Sequence, residues 1–179
     1  MKSIKYIIAI IAASILFSGC ISVDGYFKKI RNKVFSSVNG DFQREVEFAV
    51  GPALLTMSSI AVSISDAPEF TDDMLRKIER VQIGVYKNRD WRSYKPNFNS
   101  LKNISNDLID DGYKVIVRSS SYKEMVAVMV KEKHERLNEM FVIAVNEDEL
   151  VMTQIFGDLD ELIEIAIRSD GLNFGYAKN

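Results

Sequence analysis

The chain has 179 residues, of which 47% are hydrophobic and 27% charged, and its formal net charge at pH 7 is −2. This composition is ordinary for one globular domain with a sizeable core, and the near-neutral charge argues against a protein that binds nucleic acid. The chain contains a single cysteine, Cys20, which excludes an intramolecular disulfide.

The N-terminus has the pattern of a secretory signal peptide. Two lysines precede an apolar run over residues 6–17, which is shorter than the roughly 20 residues of a membrane-spanning helix. Phe17-Ser18-Gly19-Cys20 then resembles a lipobox, the site at which lipoprotein signal peptidase cuts. We therefore predict a signal peptide over residues 1–19 and lipid on Cys20; the alternative is an uncleaved anchor over residues 6–23.

The predicted lipid also indicates a location. Two or more acyl chains on Cys20 would hold the protein stably on a membrane. The next residue is Ile21, whereas an aspartate at that position often marks retention at the inner membrane in proteobacterial lipoproteins. The sequence therefore predicts a protein of the bacterial cell envelope, lipid-anchored, with the outer membrane favoured over the inner.

The segment 20–41 is predicted to be a lipidated tether that contains a basic amphipathic stretch. Its apolar residues follow a helical stripe, with lysines and an arginine around them: Tyr26, Phe27, Ile30 and Val34. Such a helix either lies on an anionic membrane surface or packs its stripe on its own domain, and both alternatives stay open.

Residues 42–179 are predicted to form a single domain. Alternating and helical patterns predict, in chain order, a strand at 46–50, helices from Pro52 and from Thr71, a strand at 81–86, a helix at 98–109 closed by Gly112, strands at 114–118, 125–131, 140–145 and 150–156, and a last helix capped by Asp158. Short links between the late strands favour antiparallel pairing. The predicted fold class is α+β, a mostly antiparallel sheet with helices packed on one face.

Two of these strands are apolar on both faces, at 125–130 and 141–145. A sheet covered on one side only would alternate apolar and polar residues. Either another part of the chain covers the second face, or a partner does. We favour internal cover, by the N-terminal helix or by the C-terminal tail with Phe174 and Tyr176.

Several segments together resemble the domain of unknown function 4252 family. They are Val81-Gln82-Ile83-Gly84-Val85-Tyr86, Gly112-Tyr113, and the stretch from Tyr122-Lys123-Glu124 to Leu162. The resemblance would span residues 46–167. The family is found in bacterial envelope proteins, often behind signal peptides, so it implies an exported protein, and it supplies no catalytic residues.

The sequence shows no catalytic, cofactor-binding or metal-binding constellation. The one histidine, His134, falls at a predicted hairpin tip, and with Cys20 lipidated no ordinary zinc ligand set remains. The paired acids fall at helix ends and turns, where capping explains them. We therefore expect a non-enzymatic protein-binding or envelope-associated module that needs no cofactor. A carboxylate-dependent hydrolase and a small-ligand or lipid carrier are the alternatives.

The loop between the strand at 81–86 and the next helix is the candidate partner-binding site. It interleaves cations with large aromatic residues, a composition enriched at binding hot spots: Arg89, Trp91, Arg92 and Tyr94. The alternative is that Trp91 tucks onto the core. We expect an envelope protein as the partner, besides the membrane itself, and no nucleic acid; the oligomeric state is left open.

Overall fold

The computed structural model describes residues 22–38, 40–52, 54–56, 70–89, 98–121 and 123–168. The elements are α1 (Gly25–Val38), β1 (Phe42–Val50), α2 (Phe70–Lys77), β2 (Ile78–Asn88), α3 (Phe98–Asp110), β3 (Lys114–Ser120), β4 (Glu124–Lys133), β5 (Arg136–Asn146), β6 (Glu149–Gly157) and α4 (Leu159–Arg168). The chain is also helical at Pro52 and at 54–56. Within the described part of the chain, no helix is long and apolar enough to cross a membrane.

The six strands form one sheet in the order β1-β2-β6-β5-β4-β3. Every neighbouring pair is antiparallel. The last four strands follow one another directly because their links are short, whereas β2 pairs with β6 across more than 60 residues of chain. The predicted α+β class with an antiparallel sheet is confirmed.

The turns follow from local chemistry. His134 and Glu135 both have positive φ, 53° and 64°, as a two-residue hairpin turn requires, so His134 lies at the predicted tip. The Asn146 side chain accepts the N–H groups of Asp148 and Glu149 at 2.9 and 2.7 Å, which closes the β5–β6 turn. Gly112, at φ 91°, ends α3 as predicted.

One face of the sheet, here called the covered face, carries the core. Residues directly opposite each other on neighbouring strands point to the same side. The fully buried hydrophobic side chains of the central strands all lie on this side: Tyr86, Met125, Ala127, Met129, Phe141, Ile143, Val145, Leu150 and Met152. Helices α1 and α3 add buried residues to the same cluster: Phe27, Ile30, Val34, Val38, Ile104 and Leu108. Helices α1 and α3 therefore pack on this face.

Helix α1 packs its apolar stripe on its own domain rather than on a membrane surface. Its N-terminus is capped by Asp24, whose carboxylate accepts the Phe27 N–H at 2.8 Å. Three of its cations face acids of the same domain: Arg31 with Glu47 at 2.7 Å, Lys33 with Asp107 at 3.7 Å and Lys29 with Asp111 at 3.9 Å. The basic character of the helix is thus largely balanced within the fold.

This position of α1 corrects the expectation that the N-terminal helix covers the second face. The helix lies on the covered face instead, where Phe27 stacks on Phe141 with ring centroids 5.8 Å apart. The other expected cover, the C-terminal tail with Phe174 and Tyr176, lies outside the described residues.

Gly84 lies in the Val81–Tyr86 segment of β2 and makes room for a neighbouring side chain. A Cβ at Gly84 would overlap the Tyr86 hydroxyl oxygen, so the tyrosine ring occupies the space that a side chain would fill. The Tyr86 hydroxyl donates to Glu47 at 2.9 Å, and Glu47 stands opposite Gly84 on β1. The Gly84-Val85-Tyr86 sequence therefore fits a buried tyrosine to a buried carboxylate.

Candidate binding surface

The second face of the sheet, here called the outer face, is built from three rows of six residues. Strand pairing aligns a first row of Val50, Val81, Ile155, Met140, Val130 and Lys114, a middle row of Phe48, Ile83, Thr153, Val142, Val128 and Val117, and a third row of Val46, Val85, Val151, Ala144, Val126 and Ser119. Fifteen of these eighteen side chains are apolar, and the exceptions are Lys114, Thr153 and Ser119.

These apolar side chains are only partly buried. The core cluster of the described residues contains none of them. Val130 is the one exception that is buried, at 4% exposure, while Val46 and Val117 at the two edges are 42% and 44% exposed. Contiguous apolar patches larger than a few hundred Å² are rare on monomeric proteins and mark interaction sites.

A charged row, here called the rim, borders the outer face beyond the third row. Continuing the strand pairing by two residues aligns Lys87 of β2, Glu149 of β6, Asn146 of β5 and Glu124 of β4. Lys87 forms an ion pair with Glu45 at 2.9 Å, and both side chains are about half exposed or more, at 65% and 47%. The rim is therefore solvated, in contrast to the three rows beside it.

The chain enters the domain at the opposite end of the strands from the rim. Val23 is buried, and the Asp24 N–H donates to the Gln82 side-chain oxygen at 2.7 Å. Arg80 pairs with the Asp24 carboxylate at 3.0 Å and lies over the Phe156 ring, 4.2 Å from its centroid. The first described residues are thus fixed to β2, close to the first row.

The covered face contains a buried polar network. Gln82 donates to Gln154 at 2.8 Å, and both Gln154 and Tyr113 donate to the Glu139 carboxylate. Burial and the hydrogen bond to Glu139 raise the pKa of Tyr113 well above its ordinary value. Because each group is paired inside the fold, the network acts to position β2, β6 and β5 against α1 and α3.

A shallow acidic cleft of about 490 Å³ lies where β5 begins and β6 ends, lined by Glu135, Arg136, Asp158, Asp160, Glu161 and Glu164. Asp158 accepts the Glu161 N–H at 3.3 Å, as the predicted cap does, and Asp160 accepts the Leu137 N–H at 3.0 Å. Glu161 pairs with Lys77 at 2.7 Å. These carboxylates are engaged in caps and ion pairs.

Of the residues predicted for the partner-binding loop, the structure describes only Arg89. Arg89 is exposed directly after β2, next to the rim, and its N–H donates to the Asp41 carbonyl at 3.0 Å. Trp91, Arg92 and Tyr94 lie outside the described residues, and so does Cys20. Their roles remain predictions. Among the residues with a described position, no group of three or more His, Cys, Asp or Glu side chains could hold a metal ion.

Sequence reasoning located the outer face only in part. The strands that are apolar on both faces signalled an apolar second face, but not its extent or its rim. Lys87, Glu149 and Glu124 form a row only because β6 and β5 stand between β2 and β4, and no local pattern carries that strand order.

Comparison with known proteins gives one finding. Neither the curated proteins nor the solved structures contain a significant match to this chain. A family model, described as domain of unknown function 4252, matches residues 43–162, which cover β1 to the middle of α4. The predicted resemblance is confirmed, and the chain belongs to the domain of unknown function 4252 family.

Proposed function

We propose that this protein is a lipid-anchored binding protein of the bacterial cell envelope, with lipid on Cys20 and with the outer membrane as its site. Its outer face binds another protein. The observation that carries this proposal is the set of fifteen apolar side chains on three rows of one sheet face, none of which belongs to the core cluster.

The size of this face favours a protein partner over a small ligand. Six strands spaced about 4.8 Å apart and three rows about 7 Å apart give a face of about 600 Å². That equals one side of a small specific protein–protein interface. A small ligand would instead need a concave, enclosed site, and the outer face is a sheet surface.

The anchor would set the orientation of the domain. Val23 is buried in the domain and stands three residues after Cys20, a span of at most about 10 Å. Lipid on Cys20 would therefore hold the entry end of the strands next to the bilayer. The strands would then run roughly perpendicular to the membrane, and the outer face would point sideways, towards partners near the membrane surface.

The predicted partner-binding loop fits this picture. Its first described residue, Arg89, stands two positions after the rim residue Lys87, at the end of β2 that points away from the anchor. We expect Trp91, Arg92 and Tyr94 to extend the contact made by the outer face.

One experiment on the full chain in its native cells tests both parts of the proposal, and its first arm tests the anchor. Wild type should incorporate labelled palmitate and sediment with membranes, whereas Cys20→Ser should do neither. A matched control combines Cys20→Ser with Ser22→Cys, which restores a cysteine outside the lipobox and should stay unlabelled. Wild type that takes up no palmitate would disprove the lipid anchor.

The second arm tests the outer face by chemical crosslinking in the same cells. Val142→Lys places a charge at the centre of the face, at a partly exposed position that leaves the core intact, and should abolish crosslinked species at unchanged abundance. Lys102→Glu, an exposed charge change on α3, is the matched control and should crosslink as wild type does. Equal crosslinking by wild type and Val142→Lys would remove the outer face from the proposal.

A further inference from the structure

We infer that the partner of the outer face is a second copy of this chain, stacked face to face about a two-fold axis that runs parallel to the strands. This inference rests on the proposed binding role of the outer face. Two packed sheets with aligned strands are a common arrangement in proteins, and two-fold dimers are the commonest oligomers.

The axis follows from the strand order. A two-fold axis that runs between β6 and β5, parallel to the strands, places each row opposite the same row of the second copy. It also reverses the order of the strands in the second copy. Strand β6 then faces β5 of the second copy, β2 faces β4, and β1 faces β3. In the middle row, Thr153 meets Val142, Ile83 meets Val128 and Phe48 meets Val117, so apolar side chains cover one another along the row except at Thr153.

The rim supplies charge complementarity in this arrangement. Lys87 of β2 stands opposite Glu124 of β4 in the second copy, and symmetry repeats the pair at the other side of the axis. Glu149 stands opposite Asn146, an uncharged residue. No two like charges of the rim oppose each other.

The other possible two-fold axis in the plane between the sheets is perpendicular to the strands, and it does not bring the opposite charges of the rim together. It would place each strand over its own copy with the rows reversed. The rim would then lie beyond the first row of the second copy, and Lys87 and Glu124 would not meet. The charge pattern therefore selects the axis parallel to the strands.

The same axis is also compatible with a lipid anchor on each of the two copies. It leaves the entry ends of both domains, marked by the Asp24–Arg80 pair, at the same end of the dimer. Both lipids on Cys20 could then insert in one bilayer. The perpendicular axis would point the two entry ends in opposite directions, which a single membrane cannot accommodate.

The area of the outer face also agrees with that of a dimer interface. The face offers about 600 Å² on each copy, and stable interfaces begin near about 600 Å² per partner. Most of its side chains are β-branched and stiff, so packing them against a second copy would restrict few rotamers.

The test uses a charge swap in the full chain in native membranes. Thr153→Cys places a thiol near the axis, and a short bis-maleimide should link two copies into a dimer. In that background, Lys87→Glu and Glu124→Lys should each lower the dimer yield roughly threefold to tenfold, since each change turns two attractions into repulsions. The double variant should restore the yield, and Lys102→Glu should leave it unchanged.

The outcomes distinguish a failure of the inferred dimer from a failure of the proposed binding role. A Thr153→Cys chain that yields no dimer, or that links only to a different protein, overturns the second copy while the binding role of the outer face stands. The parallel axis is overturned if Lys87→Glu and Glu124→Lys leave the dimer yield unchanged. It is also overturned if the double variant does not restore the yield. A dimer formed without Thr153→Cys would show that Cys20 is free, and then it is the lipid anchor that fails.

Discussion

The two faces of the sheet are built from alternate residues of the same strands, yet their chemistry differs. The covered face carries the large, shape-specific side chains, such as Phe141 and Tyr86, together with the buried polar network of Gln82, Gln154 and Glu139. The outer face carries mostly valine, with one threonine at its centre. Valine suits a strand and loses little side-chain entropy on burial.

This difference fits the role proposed for the outer face. A face that is always covered by its own helices can hold polar groups, because α1 and α3 keep their hydrogen-bond partners in place. A face that must meet a separate molecule gains from having no polar group that could be left unpaired. Neighbouring residues on one strand therefore allow matched tests of the two faces.

The largest expected difference is between Phe141 and Val142. Phe141 is fully buried and contacts the rings of Phe27 and Tyr113, with centroids 5.8 and 6.2 Å away. Phe141→Ala should lower the free energy of unfolding by about 3–5 kcal/mol, whereas Val142→Ala should lower it by about 1 kcal/mol or less because Val142 is already partly exposed. Urea unfolding of the two variants measures both values. Equal losses would mean that the outer face is part of the core.

A smaller difference is expected between Gln154 and Thr153. Gln154 is fully buried, accepts a hydrogen bond from Gln82 at 2.8 Å and donates to Glu139. Gln154→Leu should lower the free energy of unfolding by about 1–3 kcal/mol, since it leaves buried polar groups unpaired. Thr153→Val, on the outer face, should change it by about 0.5 kcal/mol or less. A neutral Gln154→Leu would show that the network contributes nothing to stability.

The sequence predicted the elements of this fold better than their arrangement. The period of two in β1 and β2 and the caps at Asp158 and Gly112 are local signals, and they were sufficient for strands and helix ends. The side of the sheet that α1 occupies depends instead on contacts such as Phe27 with Phe141, which no local pattern encodes. The sequence therefore left two positions open for this helix.

The candidate binding surface was likewise predictable from the sequence only in part. An apolar second face was visible in residues 125–130 and 141–145, whereas its three rows needed the pairing of β2 with β6 across the chain. The network of Gln82, Gln154 and Glu139 went unnoticed because glutamine and glutamate in a strand ordinarily indicate a solvated position. Only the register shows that these three side chains lie together under α1.

The smallest expected effect at neutral pH concerns Tyr26, which joins α1 to the end of α3 through a 3.4 Å hydrogen bond from its hydroxyl to Asp111. Burial raises the pKa of Tyr26 from 10.0 to about 12. The folded state thus keeps this proton over a range in which the unfolded state loses it. The resulting stabilisation is fully present below pH 10 and is lost as the pH rises towards about 12. Tyr86 and Tyr113, whose pKa values burial also raises, act in the same direction.

Tyr26→Phe removes one of these titrating groups and breaks only a long hydrogen bond. We expect it to change the free energy of unfolding by less than about 1 kcal/mol at pH 7 and to reduce the loss of stability between pH 10 and 12. Every other titratable group is the same in both proteins, so the difference between the wild-type and variant unfolding curves isolates Tyr26. The fifteen apolar residues of the outer face carry no titratable group, so this change should leave crosslinking through that face at pH 8 as in wild type. Parallel pH profiles for wild type and Tyr26→Phe would contradict the raised pKa.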